Sequence, residues 1–149
     1  SVQKLRTTIW QELFNEQSKA LPHFVNYCLY SDEYLSRRNE QQVLDLARFV
    51  TPSADAAKQR VMNYQLDISD VLADITADTL IVACHEDRMI PLAQAKLLFA
   101  SINRSRYIEI HSGHALHIEA PVEVIQLINQ FSHDPDQYPI DQKIQRCVA

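Results

Sequence analysis

Glycine occurs once in the 149 residues, at Gly113, where ordinary usage of roughly 7% would supply about ten. Glycine provides the positive-φ turns and close backbone approaches on which loop-built active sites rely. A complete enzyme assembled from loops between strands would be expected to hold several. The one that is kept lies in the stretch YIEIHSGHALHIEAP, Tyr107 to Pro121, flanked by His111, His114 and His117.

Length and balance bound the rest. A chain of this size is most simply one compact unit. Its 46% hydrophobic and 22% charged content is ordinary for a globular protein. The net charge of −5 is spread without a basic stripe, which speaks against a partner bound through a nucleic-acid phosphate backbone. No apolar run approaches the length of a membrane span, and no stretch reads as a secretory leader. Cys28, Cys84 and Cys147 are odd in number and widely separated. They form no disulfide framework, so a reducing compartment, the cytoplasm, is expected. Cys28 has no local motif that would make it a nucleophile, and no cofactor motif is present.

The first half reads as short helices. In VQKLRTTIWQELFNEQSKAL, Leu5, Ile9, Leu13 and Phe14 share a stripe flanked by Trp10. Pro22 can open a second helix in which Phe24, Val25, Cys28 and Leu29 recur at the same period. Ser31 and Asp32 are capping residues before EYLSRRNEQQVLDLARFV, with Val43, Leu44, Ala47 and Phe49 inward. Thr51 and Pro52 suit the start of a fourth helix. Trp10, Phe14, Phe24 and Tyr27 form an aromatic group that serves equally as packing or as the lining of an apolar pocket. No strand signal precedes residue 77.

The second half changes character. TLIVACHE, Thr79 to Glu86, is a short β-branched run of the kind buried on both faces of a sheet. Pro91 introduces the helix LAQAKLLFASI, with Ala95, Leu98 and Phe99 inward. RYIEIH is a second strand, and Pro121 opens a final helix with Val122, Val124, Ile125, Ile128 and Phe131 as its apolar positions. Strand, helix, strand, helix predicts a parallel pair joined by a crossover. The expected divisions are a helical segment over 1–70, a strand–helix–strand–helix part over 71–134, and a tail over 135–149.

Asp87 follows the first strand and His114 the second. In parallel α/β sheets, ligands and catalytic groups gather beyond the carboxyl ends of the strands. A carboxylate beside an imidazole there can fix its tautomer and stabilise the imidazolium formed in base catalysis. His111, His114 and His117 as a metal trio is the weaker alternative. A strand-to-helix junction does not converge such residues, and no further ligand spacing matches a zinc site. His85 reads as a turn residue.

These stretches resemble the closing part of the α/β-hydrolase family. DVLADITADTLIVACHEDRMIP is similar to that family's acid-bearing strand and turn, and IEIHSGHALHIEAP to its histidine loop with the following E.P. The resemblance implies a partial α/β-hydrolase fold: a helical lid (cap) followed by two parallel strands with flanking helices. It places Asp87 at the triad acid and His114 at the triad histidine, with Glu119 and Pro121 as helix-start features. Asp78 stands where the family usually has proline, and Cys84 where it usually has glycine. The family's nucleophile sits in GxSxG, which needs two glycines, so the resemblance supplies an acid and a base without a nucleophile.

Two expectations follow. One is part of an ester-type hydrolase or acyltransferase, inactive unless another segment supplies the serine for a small acyl substrate. The other is a non-catalytic dimerisation or interaction module derived from the same fold. Both leave the edge of the Thr79–Cys84 strand open to pairing. A two-strand sheet is marginal alone. A homodimer, or a second chain carrying the nucleophile half, is therefore expected.

Overall fold

The change of character near residue 77 becomes the boundary between helices and sheet in the computed structural model. It describes residues 2–47, 55, 58–59, 62–63, 66–139 and 143–146. Thr51, Pro52, Phe49 and Cys147 lie outside the described residues.

Helix α1, Val2–Asn15, packs on α2, Leu21–Leu29, which has Pro22 in its first turn. Trp10, Leu21 and Val25 are buried between them, with Leu13, Phe14, Phe24, Leu29 and the distant Met89 against this cluster. The Trp10 and Phe24 rings meet edge-on at 6.2 Å, a favourable arrangement of ring quadrupoles. The stripe is therefore rotated from the expected one. Trp10, with the larger apolar area, takes the centre, and Leu5 is 62% exposed. Tyr27 is also outside the cluster, more than half exposed.

Helix α1 ends without a glycine. Gln17 sits at φ 51°, while Ser18 N–H donates to Leu13 O and Gln17 N–H to Phe14 O. This is the paired closure of a left-handed C-terminal cap, a position that glycine usually fills. Gln17→Gly is expected to raise stability by about 1 kcal/mol, the strain of a side chain in that region. The midpoint of urea unfolding measures it, and an unchanged midpoint would remove the strain argument.

The run expected as one helix after Ser31 divides into α3, Asp32–Ser36, and α4, Glu40–Ala47. Asn39 is the reason. Its Oδ1 accepts from Gln42 N–H while Gln42 Oε1 accepts from Asn39 N–H, a reciprocal cap that starts a new helix.

The sheet follows. Strands β1, Thr79–Cys84, and β2, Ser105–Ile110, pair in parallel with Thr79 opposite Ser105 and Cys84 opposite Ile110. Helix α5, Leu92–Ser101, connects them. After β2 come the short α6, Leu116–Glu119, and α7, Pro121–His133. One face, with Ile81, Ala83 and Tyr107, is covered by Leu92, Ala95, Leu98 and Phe99 of α5. The other, with Ile108 and Ile110, packs against Leu127 and Phe131 of α7. All six residues of β2 are buried. The expected α/β class, helices first and then parallel strands with flanking helices, is what the chain adopts.

The two expected strands gain a third. In the segment read as a tail, a turn of 3₁₀ helix at Pro135–Gln137 leads to β3, Lys143–Arg146, parallel to β2. The order is β1-β2-β3. Arg106 anchors this return. Its buried guanidinium donates to Asp78 Oδ1, Asp136 Oδ1 and Tyr138 O at 2.7 to 2.8 Å. The guanidiniums of Arg104 and Arg106 hold the Asp78 carboxyl below its ordinary value. Asp78 thus ties the start of β1 to β2.

Candidate functional site

The parallel register brings the carboxyl ends of β1 and β2 side by side, and the ladder continues into the loops beyond. His85 N–H donates to Ile110 O at 2.9 Å and Glu86 N–H to Ser112 O at 3.0 Å. The loop after β1 then turns on Asp87, whose Oδ1 accepts the N–H groups of Met89 and Ile90, both at 2.7 Å. Aspartate closes such turns on its own backbone. One carboxylate oxygen is thereby fixed and the other left free.

That second oxygen, Oδ2, lies 2.9 Å from His114 Nδ1. The structure brings the two sequence-predicted residues together across 27 positions of chain. The Asp87 side chain is 11% exposed and that of His114 is 38% exposed. A carboxylate facing Nδ1 sets that nitrogen as the donor. Nε2 is then the lone-pair nitrogen, on the more accessible residue of the pair.

The histidine loop is held from three sides. Ser112 is buried. Gly113 N–H donates to Glu119 Oε1 at 3.1 Å, and Ala115 N–H donates to Leu29 O at 2.9 Å. Glu119 also takes Ser31 N–H at 2.8 Å and the Ser31 hydroxyl at 2.7 Å. One carboxylate therefore joins the cap of α3 to the residue before His114. At this junction a Cβ on Gly113 would lie 2.6 Å from Ser31 N and Tyr30 C, and 2.7 Å from Glu119 Oε1. The chain's single glycine does not have positive φ. It is required by crowding rather than by a left-handed turn.

The acid loop is joined to the helices as well. The Arg88 guanidinium donates to Tyr27 O, Tyr30 O and Asp32 Oδ1 at 2.8 to 3.0 Å and stacks over the Tyr27 ring. Glu86 accepts Asp32 N–H, and Arg6 reaches Arg88 O and Met89 O. The exposed Tyr27 thus covers an arginine rather than an apolar cluster.

Other candidates resolve differently. His111 stacks on His85 with ring centres 4.4 Å apart, and His85 Nε2 lies 3.2 Å from the buried Glu109 carboxylate. Glu109 also faces Lys96 Nζ at 3.4 Å and accepts the Tyr107 hydroxyl. Burial, then this carboxylate, pushes the Tyr107 phenol up. His117 lies on α6, exposed. Among the described residues, no three His, Cys, Asp or Glu side chains are arranged to hold a metal ion. Cys28 and Cys84 are buried free thiols. Burial pushes both up, Cys84 to about 12, so neither is a thiolate near neutral pH.

Sequence reasoning missed Arg6, Glu86, Arg88 and the bridging role of Ser31. The flanks of Asp87 in HEDRMIP are charged, which was the available signal. The partners of these residues are 54 to 88 positions away, and no local pattern encodes that.

No protein-family model matches the chain. It is 27% identical over 132 residues, 87% of its length, to a pyrrolizixenacetamide deacetylase of Xenorhabdus hominickii. The match spans 50% of that protein, so the chain covers about half the length of the curated relative it resembles. The similarity supports a hydrolase-related origin.

Proposed function

We propose that the chain is the acid–base part of an α/β-hydrolase-type enzyme that transfers an acyl group from an ester-like or amide substrate to water. The observation that carries this is the 2.9 Å contact of Asp87 Oδ2 with His114 Nδ1, beyond the carboxyl ends of two parallel strands. The likeness to a deacetylase supports it. The nucleophile, a serine hydroxyl, comes from a segment other than the described residues.

In this reading His114 Nε2 takes the proton as the serine oxygen attacks the acyl carbon. The resulting imidazolium is stabilised by Asp87. It then passes the proton to the departing alcohol or amine as the old acyl bond breaks, leaving an acyl-serine. Water attacks that ester with His114 again as the base, and the acid is released.

The test is to combine the chain with the half of the Xenorhabdus deacetylase that the match leaves out and assay hydrolysis of p-nitrophenyl acetate, together with labelling by a serine-directed fluorophosphonate. Both are expected to appear in the assembly and to be lost in His114→Ala. Hydrolysis that survives this substitution would reject the assignment.

A further inference from the structure

We infer that His85 and His111, seated on the buried Glu109 carboxylate, are positioning residues that hold the loops carrying Asp87 and His114 at the spacing of their contact. The inference rests on the reading above for the work the dyad does, and adds the groups that keep it in place.

The β1–β2 register ends with Cys84 opposite Ile110, and His85 and His111 are the next residues of the two chains. The bonds from His85 N–H to Ile110 O and from Glu86 N–H to Ser112 O carry the ladder past them. Side chains alternate along a strand, so the two histidines extend the face of Ile81, Ala83 and Tyr107 that α5 covers. Their rings lie 4.4 Å apart and 6° from parallel. One ring stands two residues ahead of Asp87 and the other three ahead of His114.

The stack is anchored from the sheet. His85 Nε2 lies 3.2 Å from Glu109 Oε2, and Glu109 is 5% exposed. A carboxylate on that face costs folding energy unless it is well matched. The Tyr107 hydroxyl donates to Glu109 Oε1 at 2.9 Å, and Lys96 Nζ of α5 lies 3.4 Å from the same oxygen. Oε2 faces the imidazole. An apolar residue at 109 would fill this face at lower cost, whereas the carboxylate fixes the direction of the His85 ring.

On its other side His111 lines a small cavity of about 70 Å³ with Ser31, Arg37 and Glu119. Ser31 and Glu119 form the junction that holds Gly113. A row of groups therefore runs from Lys96 through Glu109, His85 and His111 to the residue before His114.

What the row supplies is a link between the loops. Asp87 Oδ1 is fixed by its own turn and Gly113 by Glu119, yet neither bond sets the distance from one loop to the other. The His114 side chain is 38% exposed, so water competes for Nδ1 whenever the loops part. Stacked rings resist both separation and sliding, because each loses ring contact. A contact of this kind stays in place when the side chains behind it are locked by packing and hydrogen bonds.

The experiment uses the chain alone, with nitrogen-15-labelled imidazoles. In the parent the neutral His114 proton is expected on Nδ1. His111 is exposed, so His111→Ala should leave the urea midpoint within the range of a surface substitution. It should nevertheless shift the His114 tautomer ratio toward Nε2–H by at least about threefold. His111→Phe, which restores a flat ring over His85, should return the ratio to the parent value. An unchanged ratio in His111→Ala overturns the inference. So does a shift that phenylalanine fails to reverse, or the same shift in His117→Ala, exposed on α6. A shift matched by a fall in the midpoint marks a merely structural role and overturns it as well. The hydrolase reading is scored separately, in the assembly with the Xenorhabdus half. The expected tautomer shift without His114-dependent ester turnover leaves this inference standing and rejects that reading. Turnover whose kcat His111→Ala leaves untouched, with the tautomer unchanged, does the reverse.

Discussion

In an assembly that supplies the nucleophile, Asp87→Asn is expected to lower kcat by about 10⁴-fold, the loss such a change brings in serine proteases, with KM little altered. The geometry gives the reason. Asp87 Oδ1 is committed to the N–H groups of Met89 and Ile90, both donors, so an asparagine must keep its carbonyl oxygen there. Its amide NH₂ then occupies the place of Oδ2, 2.9 Å from His114 Nδ1. A donor at that point drives the imidazole proton to Nε2, the nitrogen that should receive the serine proton. The turn survives and the tautomer is wrong. Nitrogen-15 spectra of the labelled imidazole should show Nε2 protonated in the variant and Nδ1 protonated in the parent. Asp87→Ala should differ, since it also leaves two backbone N–H groups without their acceptor. A decrease in kcat below about tenfold for Asp87→Asn would mean that the carboxylate does not set the tautomer.

The parts of this site that the sequence reveals are those written locally. The β-branched run at Thr79–Cys84 and the apolar positions of α5 have short periods, and a residue in the short loop after a strand stays near that strand's end. The proximity of Asp87 and His114 was legible for that reason, while the roles assigned to them rest on the resemblance. β3 was not, because Lys143–Arg146 is four residues long and has no apolar run of its own. It is positioned by Arg106, whose guanidinium bridges to Asp136 across 30 residues. Glu119 was legible as a helix-start residue, but its bonds to Ser31 span 88 residues. The same limit governs α7: its apolar period is plain, and only the fold shows that Leu127 is buried while Val122, Ile125 and Ile128 are exposed.

Gly113→Ala is expected to cost about 3 kcal/mol of stability, the upper end of ordinary overpacking, and to shift the helical segment away from the histidine loop. Two of the three atoms that the new methyl would meet are backbone, Ser31 N and Tyr30 C, each 2.6 Å away. Backbone cannot rotate aside as a long side chain can. The third, Glu119 Oε1, is held by Ser31 N–H and Gly113 N–H. Moving it would strip acceptors from both, at about 1–3 kcal/mol for each buried donor left unmatched. Relief must therefore come from separating residues 30–31 from the loop, which also stretches the bond from Ala115 N–H to Leu29 O. His114 lies between Gly113 and Ala115, so the same displacement should loosen its contact with Asp87. Urea unfolding measures the cost, and the imidazole spectrum of the folded variant reads the displacement. A change below about 0.5 kcal/mol, the range of an ordinary surface substitution, would show that the junction gives way freely. The single glycine would then be unrelated to the placement of the histidine.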